Sequence, residues 1–309
     1  MFIGVASYAR PLAFKLCLLS LVRARIVKGV IAAIDVRGVQ EKERYKEAVE
    51  KAREHGLEVI TDLSSKRRGF TNARNKVLDI AEEVLKDDDA LVLYDDDYVC
   101  PGAHALYPAL TWLKNSTIGL VGGRVVDLRR RIDPDFYLNF MPELADKLSS
   151  LTGFIFLNTK HGPRFTYYTL PLRALRVKVV KQGVRFDEKF QGTGYRGEDD
   201  FNLQIVKLGY KVLFEPRFWA FHLCLEYGGC RVDDITQRFY WKARNHVYFI
   251  KKHNLGTLRG IVGTSIIAIY ALLHGPKTLN ALNKGLKDGL HESLRACVLV
   301  HDKHLIEKR

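Results

Sequence analysis

The chain has 309 residues, 47% of them hydrophobic and 27% charged, enough for one large α/β domain and a smaller appendage; such a composition excludes disorder, collagen-like repeats and low complexity. Its 49 Lys and Arg against 35 Asp and Glu give a net charge of +14, which favours polyanionic partners: nucleic acid, anionic lipid or a phosphorylated substrate. The five cysteines (Cys17, Cys100, Cys224, Cys230, Cys297) form no C-x-x-C pair, which argues against a disulfide framework or zinc site.

Residues 2–7 read as a buried strand, and residues 12–25, after Pro11, carry apolar side chains at helical spacing. The start has no basic stretch and no cleavage site, so a cytoplasmic protein with reduced thiols and no secretory signal is expected. A second apolar run, 30–34, ends at Asp35; residues 41–54 form an amphipathic helix stopped by Gly56; residues 57–61 are a third strand. Thr71 or Asn72 is expected to cap a helix reaching Leu85, with Val77, Ile80 and Ala81 inward, and residues 91–94 are a fourth strand. Repeated strand–helix units predict a parallel sheet with right-handed crossovers. Ligands of open α/β sheets sit beyond the carboxyl ends of the strands, where this chain places Ser7 and Tyr8, Asp35, and Asp95-Asp96-Asp97.

From Val125 to about Phe186 the pattern is irregular, as for a substrate-binding region with some antiparallel strand. Helix and strand resume from Asp199 to Phe221, and the tail from Gln237 reads as helical. Residues 261–273 are apolar on most sides but far short of the ~20 needed to span a bilayer, so they dock either against the core or on a membrane surface. The expected division is a catalytic domain over 1–223, split into halves 1–125 and 126–223, and a helical extension over 224–309.

Three motifs carry chemistry. Asp95-Asp96-Asp97 follows a buried strand, where adjacent like charges repel and a divalent cation held by oxygen ligands would relieve them. Asp87-Asp88-Asp89 is as acidic but follows a helix end and reads as a solvated turn. Glu198-Asp199-Asp200 opens an amphipathic helix, where acidic residues serve either as caps or as a general base facing the crevice. Gly69-Phe70-Thr71-Asn72-Ala73-Arg74-Asn75 sets an arginine near a helix start, either on the surface or against a diphosphate. His222 is either structural or part of a metal or diphosphate site.

These motifs in this order resemble the family 2 glycosyltransferases of GT-A fold, over residues 2–253. The resemblance rests on the opening Val5-Ala6-Ser7-Tyr8-Ala9-Arg10-Pro11, the Gly69 to Asn75 segment, the DxD-type Asp95-Asp96-Asp97, Arg185-Phe186-Asp187-Glu188-Lys189-Phe190, Gly197-Glu198-Asp199, Gly209-Tyr210-Lys211-Val212, Pro216, His222 and Ala243-Arg244-Asn245. It implies an α/β nucleotide-binding fold with a mostly parallel sheet flanked by helices. It also implies an inverting, metal-dependent transfer of a hexosyl or deoxyhexosyl group from a nucleotide-diphospho-sugar to a hydroxyl acceptor, a glycolipid or growing polysaccharide. Under it Ser7, Tyr8, Arg10, Asp35, Arg74, Asp95 and Asp96 face the donor, with Asp35 at the nucleobase and Arg74 near the diphosphate. Asp95, Asp97 and His222 would hold Mn²⁺ or Mg²⁺. Asp199 is the implied base, with Glu198 and Asp200 as alternatives because two acidic residues are adjacent there. Without membrane spans to export a polymer, the chain is expected to be non-processive.

Two rival readings follow from the same residues. A sugar nucleotidyltransferase would carry a Gly-rich basic loop after the first strand, where this chain has Ser7-Tyr8-Ala9-Arg10-Pro11. A nucleic-acid-binding protein would explain the charge, but no motif of that class is evident and the Asp clusters would repel phosphate. The basic stretch 160–189 and the tail are expected to hold the protein, peripherally, at an anionic membrane on its cytoplasmic face.

Overall fold

The computed structural model describes residues 1–128, 147, 151, 162–230, 232 and 234–306, with side chains as far as 292. Much of the expected substrate-binding region, Lys160 and the side chain of Cys297 lie outside the described residues. The chain divides into two compact units: Met1–Ser149, Ile155–Glu188 and Glu198–Arg231 form the first, and Ser150–Phe154, Lys189–Gly197 and Val232–Arg309 the second.

The first unit is a mixed α/β layer structure. Its strands are β1 (Phe2–Tyr8), β2 (Gly29–Asp35), β3 (Glu58–Ser64), β4 (Ala90–Asp95), β5 (Tyr98–Val99), β6 (Ile118–Asp127), β7 (Arg164–Phe165), β8 (Arg173–Arg176) and β9 (Lys211–His222). They make one sheet in the order β3-β2-β1-β4-β8-β6-β9-β5, with β7 on β9. β1 to β4 run parallel, β8 is antiparallel between β4 and β6, and β6 and β9 return to the common direction. The sheet is thus mostly parallel, and the short strands β5, β7 and β8 run the other way.

Helices α1 (Pro11–Val22), α2 (Val39–Glu54) and α4 (Ala103–Leu113) cover one face, burying Phe14, Leu18, Tyr45, Ala48 and Leu106 against Ile3, Val5 and Val92. Helices α3 (Phe70–Val84), α5 (Val177–Lys181) and α6 (Gly197–Lys207) cover the other, burying Val77, Leu78, Val179 and Phe201 against Ile31, Leu91 and Leu93. The period-2 alternation of the strands supplies both cores at once, as strands covered on both sides must. Gly4 on β1 lets α3 approach: a Cβ there would come 2.5 Å from Val77 Cγ1. The helix α3 starts without a side-chain cap, contrary to the expectation for Thr71 or Asn72. Gly69, at φ +85°, turns the chain in a left-handed conformation costly to other residues, and Asn72 Nδ2 instead donates back to the Arg68 carbonyl at 3.2 Å.

The second unit is helical: α7 (Ile235–Lys252), α8 (Thr257–Leu272) and α9 (Pro276–Ile306). Asp234 caps α7 by accepting from the Thr236 amide at 2.8 Å. Phe239 and Ala243 of α7, Ile267 and Ala271 of α8 and Leu282 of α9 form its core. No helix among the described residues is long and apolar enough to cross a membrane.

Within this unit His246 is fully buried, and its Nδ1 faces Arg196 Nη2 at 3.1 Å. Burial first, and then the Arg196 charge, depress the imidazole from 6.5 to about 3. The unfolded chain therefore binds a proton between these values that the folded chain refuses, so stability is full above pH 6.5 and falls as the pH drops toward 3. In urea titrations across that range, His246→Gln should flatten the acid limb, whereas an unchanged limb would show that His246 does not govern it.

Candidate active site

The strand register builds the site. Tyr8 lies opposite Asp35 and Ala6 opposite Asp95, so the carboxyl ends of β1, β2 and β4 open on one crevice. It lies beside the point where strand order reverses, β1 having β2 on one side and β4 on the other.

The three consecutive carboxylates are met by three different basic side chains. Asp96 is buried and accepts from Ser7 Oγ at 2.6 Å and from Arg10 Nη1 at 3.1 Å. Ser7 Oγ also sits 2.8 Å from the Tyr45 hydroxyl of α2, which accepts from the Arg10 amide at 2.9 Å. Burial pushes Asp96 up to about 7, with Asp97 adding to the rise and Arg10 and Ser7 opposing it. Asp97 lies 3.1 Å from Arg10 Nη1 and 3.3 Å from His222 Nε2 through its Oδ2. Burial raises its carboxyl, but His222 and Arg10 outweigh this and hold it below the usual range. His222 in turn places Nδ1 2.8 Å from Asp127 Oδ1. Burial lowers the imidazole, yet Asp127 and Asp97 together raise it to about 9, so it is an imidazolium at neutral pH.

Asp95 is served from another helix. Arg74, buried near the start of α3, reaches Asp95 Oδ1 at 2.5 Å and Glu198 Oε1 at 3.2 Å. Its guanidinium stacks 4.3 Å from the Phe70 ring centroid. One arginine thereby ties the end of β4 to the first turn of α6. Burial raises the Glu198 carboxyl, against the pull of Arg173 and Arg74. Arg173, wholly buried on β8, donates to Thr169 and places Nη1 3.9 Å from Glu198 Oε1. Burial depresses this guanidinium. Asp199 is buried in the same turn within electrostatic reach of Arg173 and Glu198. Asp200 accepts from Gln204 Nε2 at 2.8 Å.

Asp35 and Tyr8 line a small pocket of about 40 Å³ with Arg67, Phe70, Gly229 and Cys230. Both Asp35 oxygens are engaged by Arg68, from its amide at 2.7 Å and its Nε at 2.6 Å. The Arg67 guanidinium lies over the Tyr8 ring, 4.4 Å from its centroid. The segment after β9 closes over this edge: the Gly229 amide donates to the Tyr8 carbonyl at 2.9 Å and Arg10 Nε to the Tyr227 carbonyl at 2.5 Å. Gly228, at φ +69°, allows the approach, since a Cβ there would meet Arg10 Cγ at 2.6 Å.

The structure thus joins Ser7, Arg10, Asp96, Asp97 and His222 in one network and Arg74, Asp95 and Glu198 in another. Sequence reasoning missed Tyr45, Arg68, Asp127, Arg173 and Cys224. Asp127 is a polar strand end like the others, but β6 runs on to it past Val125, where the sequence pattern turns irregular. Tyr45 is hidden in an amphipathic helix pattern, and a buried Arg173 has no sequence signature.

The residues fit a divalent ion. Ligands bound at right angles about 2.1 Å from one ion stand about 3 Å apart, close to the 3.3 Å between Asp97 Oδ2 and His222 Nε2, which would become a donor on losing its proton to the incoming ion. Among the described residues, Asp127, His222 and Cys224 also bring donor atoms within 4.8 Å of one another.

No protein-family model and no curated protein matches the sequence. Solved structures do resemble it. The mannosyltransferase PcManGT from Pyrobaculum calidifontis, in complex with GDP-Man and Mn²⁺, superposes with a TM-score of 0.55 at 17% identity, covering 100% of this chain and 80% of that one. TarS residues 1–349 from S. aureus superposes at 0.56 and 13% identity, covering 94% and 81%. At such identities the likeness establishes a shared fold.

Replacing Arg74 by Met should strand the Asp95 and Glu198 carboxylates and cost about 3 kcal/mol of stability. Arg74→Lys should recover only part, because one ammonium cannot span both partners as the guanidinium does. Chemical denaturation checks both; a cost near zero for Arg74→Met would show that the bridge is not structural.

Proposed function

We propose that the protein is a glycosyltransferase that moves a sugar from a nucleotide-diphospho-sugar to a hydroxyl acceptor, with inversion at the anomeric carbon. The observation that carries this reading is the Arg74 bridge between Asp95 and Glu198. It sets the carboxylates at the end of β4 beside those of α6, as a donor site and an acceptor base must be set. A mannosyltransferase of the same fold, in complex with GDP-Man and Mn²⁺, supports it further.

In this reading the nucleobase end of the donor enters at Tyr8 and Asp35, displacing the Arg67 guanidinium from the Tyr8 ring. Ser7, Arg10 and Asp96 form the buried base of the donor site and hold Asp97 in place. Asp97 and His222, with Asp95 at the rim, would hold Mn²⁺ or Mg²⁺. When bound, that cation supplies positive charge against a diphosphate leaving group. Asp199 takes the proton from the acceptor hydroxyl, and Glu198, tied to Arg74, is the positioning residue that orients the turn carrying it. The acceptor is a glycolipid or saccharide, and the chain is non-processive.

The test is release of nucleoside diphosphate from UDP-, GDP- and dTDP-sugars, comparing wild type with Asp199→Asn. One donor should be consumed, and Asp199→Asn should slow its turnover roughly 10²–10⁴-fold with donor affinity unchanged. Full activity in Asp199→Asn would remove the base from that residue. No release from any donor, with pyrophosphate formed from a nucleoside triphosphate and a sugar phosphate, would replace the reading by a nucleotidyltransferase.

A further inference from the structure

The helix α8 exposes the side chains a soluble surface helix would hide. Leu258, Ile261, Ile269 and Leu272 are 66%, 58%, 58% and 59% exposed. With Ser265 between them they recur at intervals of three and four, so they form one stripe along one helix face. The opposite face, with Gly263, Ile267 and Ala271, is the one buried against α7 and α9. Leu273, 76% exposed, continues the stripe past the helix end. The only charged residue in α8 is Arg259, which is half-buried. A groove of about 400 Å³ adjoins the stripe, lined by Ile250, Lys251, Ile261, Leu286 and Leu290 of the same unit. Contiguous apolar surface of this kind marks a site of contact with another phase or molecule.

Charge decides which. From Ile235 to Lys287 the sequence holds nine Lys or Arg and no Asp or Glu. A second copy of this chain would set like charges against like, whereas an anionic lipid surface answers both the apolar stripe and the local excess of positive charge. The 16 residues of α8 are too few to span a bilayer core but long enough to lie along its surface.

We propose that α8 lies in the headgroup layer of an anionic bilayer, with Leu258, Ile261, Ile269 and Leu272 inserted among the acyl chains and Lys251, Arg259 and Lys277 against lipid phosphates. This narrows the basic docking surface expected from the sequence to one helix and its flanks, and it stands independently of the transfer chemistry.

The test is co-sedimentation of the full chain with vesicles of phosphatidylcholine alone and of an equimolar mixture with phosphatidylglycerol. Wild type should bind the mixed vesicles, weakly or not at all the neutral ones, and less as salt is raised. The double variant Ile261→Gln, Ile269→Gln should bind at least about tenfold more weakly with an unchanged thermal midpoint, since both side chains are already exposed. Leu16→Gln, at an exposed apolar position of α1, should bind as wild type does. No binding to mixed vesicles, equal binding to neutral ones, or unaltered binding by the double variant would overturn the proposal. So would a dimer in sedimentation equilibrium that the double variant dissolves, because a second copy would then cover the stripe.

Discussion

The end of β4 delivers three consecutive carboxylates to the carboxyl end of a sheet covered on both faces, and much of the first unit is arranged to answer that charge. Left alone, such carboxylates would take up protons or reject the fold. Each is instead met from a different element: Asp95 by Arg74 of α3, Asp96 by Arg10 and Ser7 at the end of β1, and Asp97 by Arg10 and His222 of β9. The cations are themselves anchored, Arg10 by the carbonyl of Tyr227 and His222 by Asp127. The ladder already sets β1 against β4, and the charge pairs add ties from the end of β4 to α3 and from the turn after it to β9.

The proposed ligands would meet the same groups. The ion pairs engage Asp95 and Asp97, the carboxylates proposed to meet the donor and its cation, so ligand binding there would be an exchange of partners. His222 is the clearest instance. Its imidazolium holds positive charge between Asp97 and Asp127, charge that the proposed cation would supply once bound beside it. Arg67 over Tyr8 occupies an aromatic face in the same way.

Sequence pattern made the strand ends legible because period-2 burial and abrupt polar endings are local signals. Ser7, Asp35 and the Asp95-Asp96-Asp97 run needed nothing further, and the reading of Asp87-Asp88-Asp89 as a turn agrees with the turn found there and with Asp87 and Asp89 meeting the exposed Lys181 and Lys28. What stayed hidden depends on distant pairing. Tyr45 belongs to the site only because α2 packs its hydroxyl over Ser7, and Arg173 only because β8 inserts antiparallel between β4 and β6. The start of α3 departs from the expectation because a left-handed glycine, Gly69, turns the chain there without a side-chain cap from Thr71 or Asn72. In the helical tail the apolar run was legible, but whether it faced a core or solvent depended on α7 and α9.

The central claim is that the network at the end of β4 is a nucleotide-diphosphate and cation site. Thermal-shift titration of wild type and Asp97→Ala with UDP, GDP and dTDP, each with and without Mn²⁺, tests it most directly. The account predicts that one nucleotide raises the melting temperature of the wild type, more so with Mn²⁺, and that Asp97→Ala loses the metal-dependent part. No shift with any nucleotide, or an equal metal-dependent shift in Asp97→Ala, would contradict it.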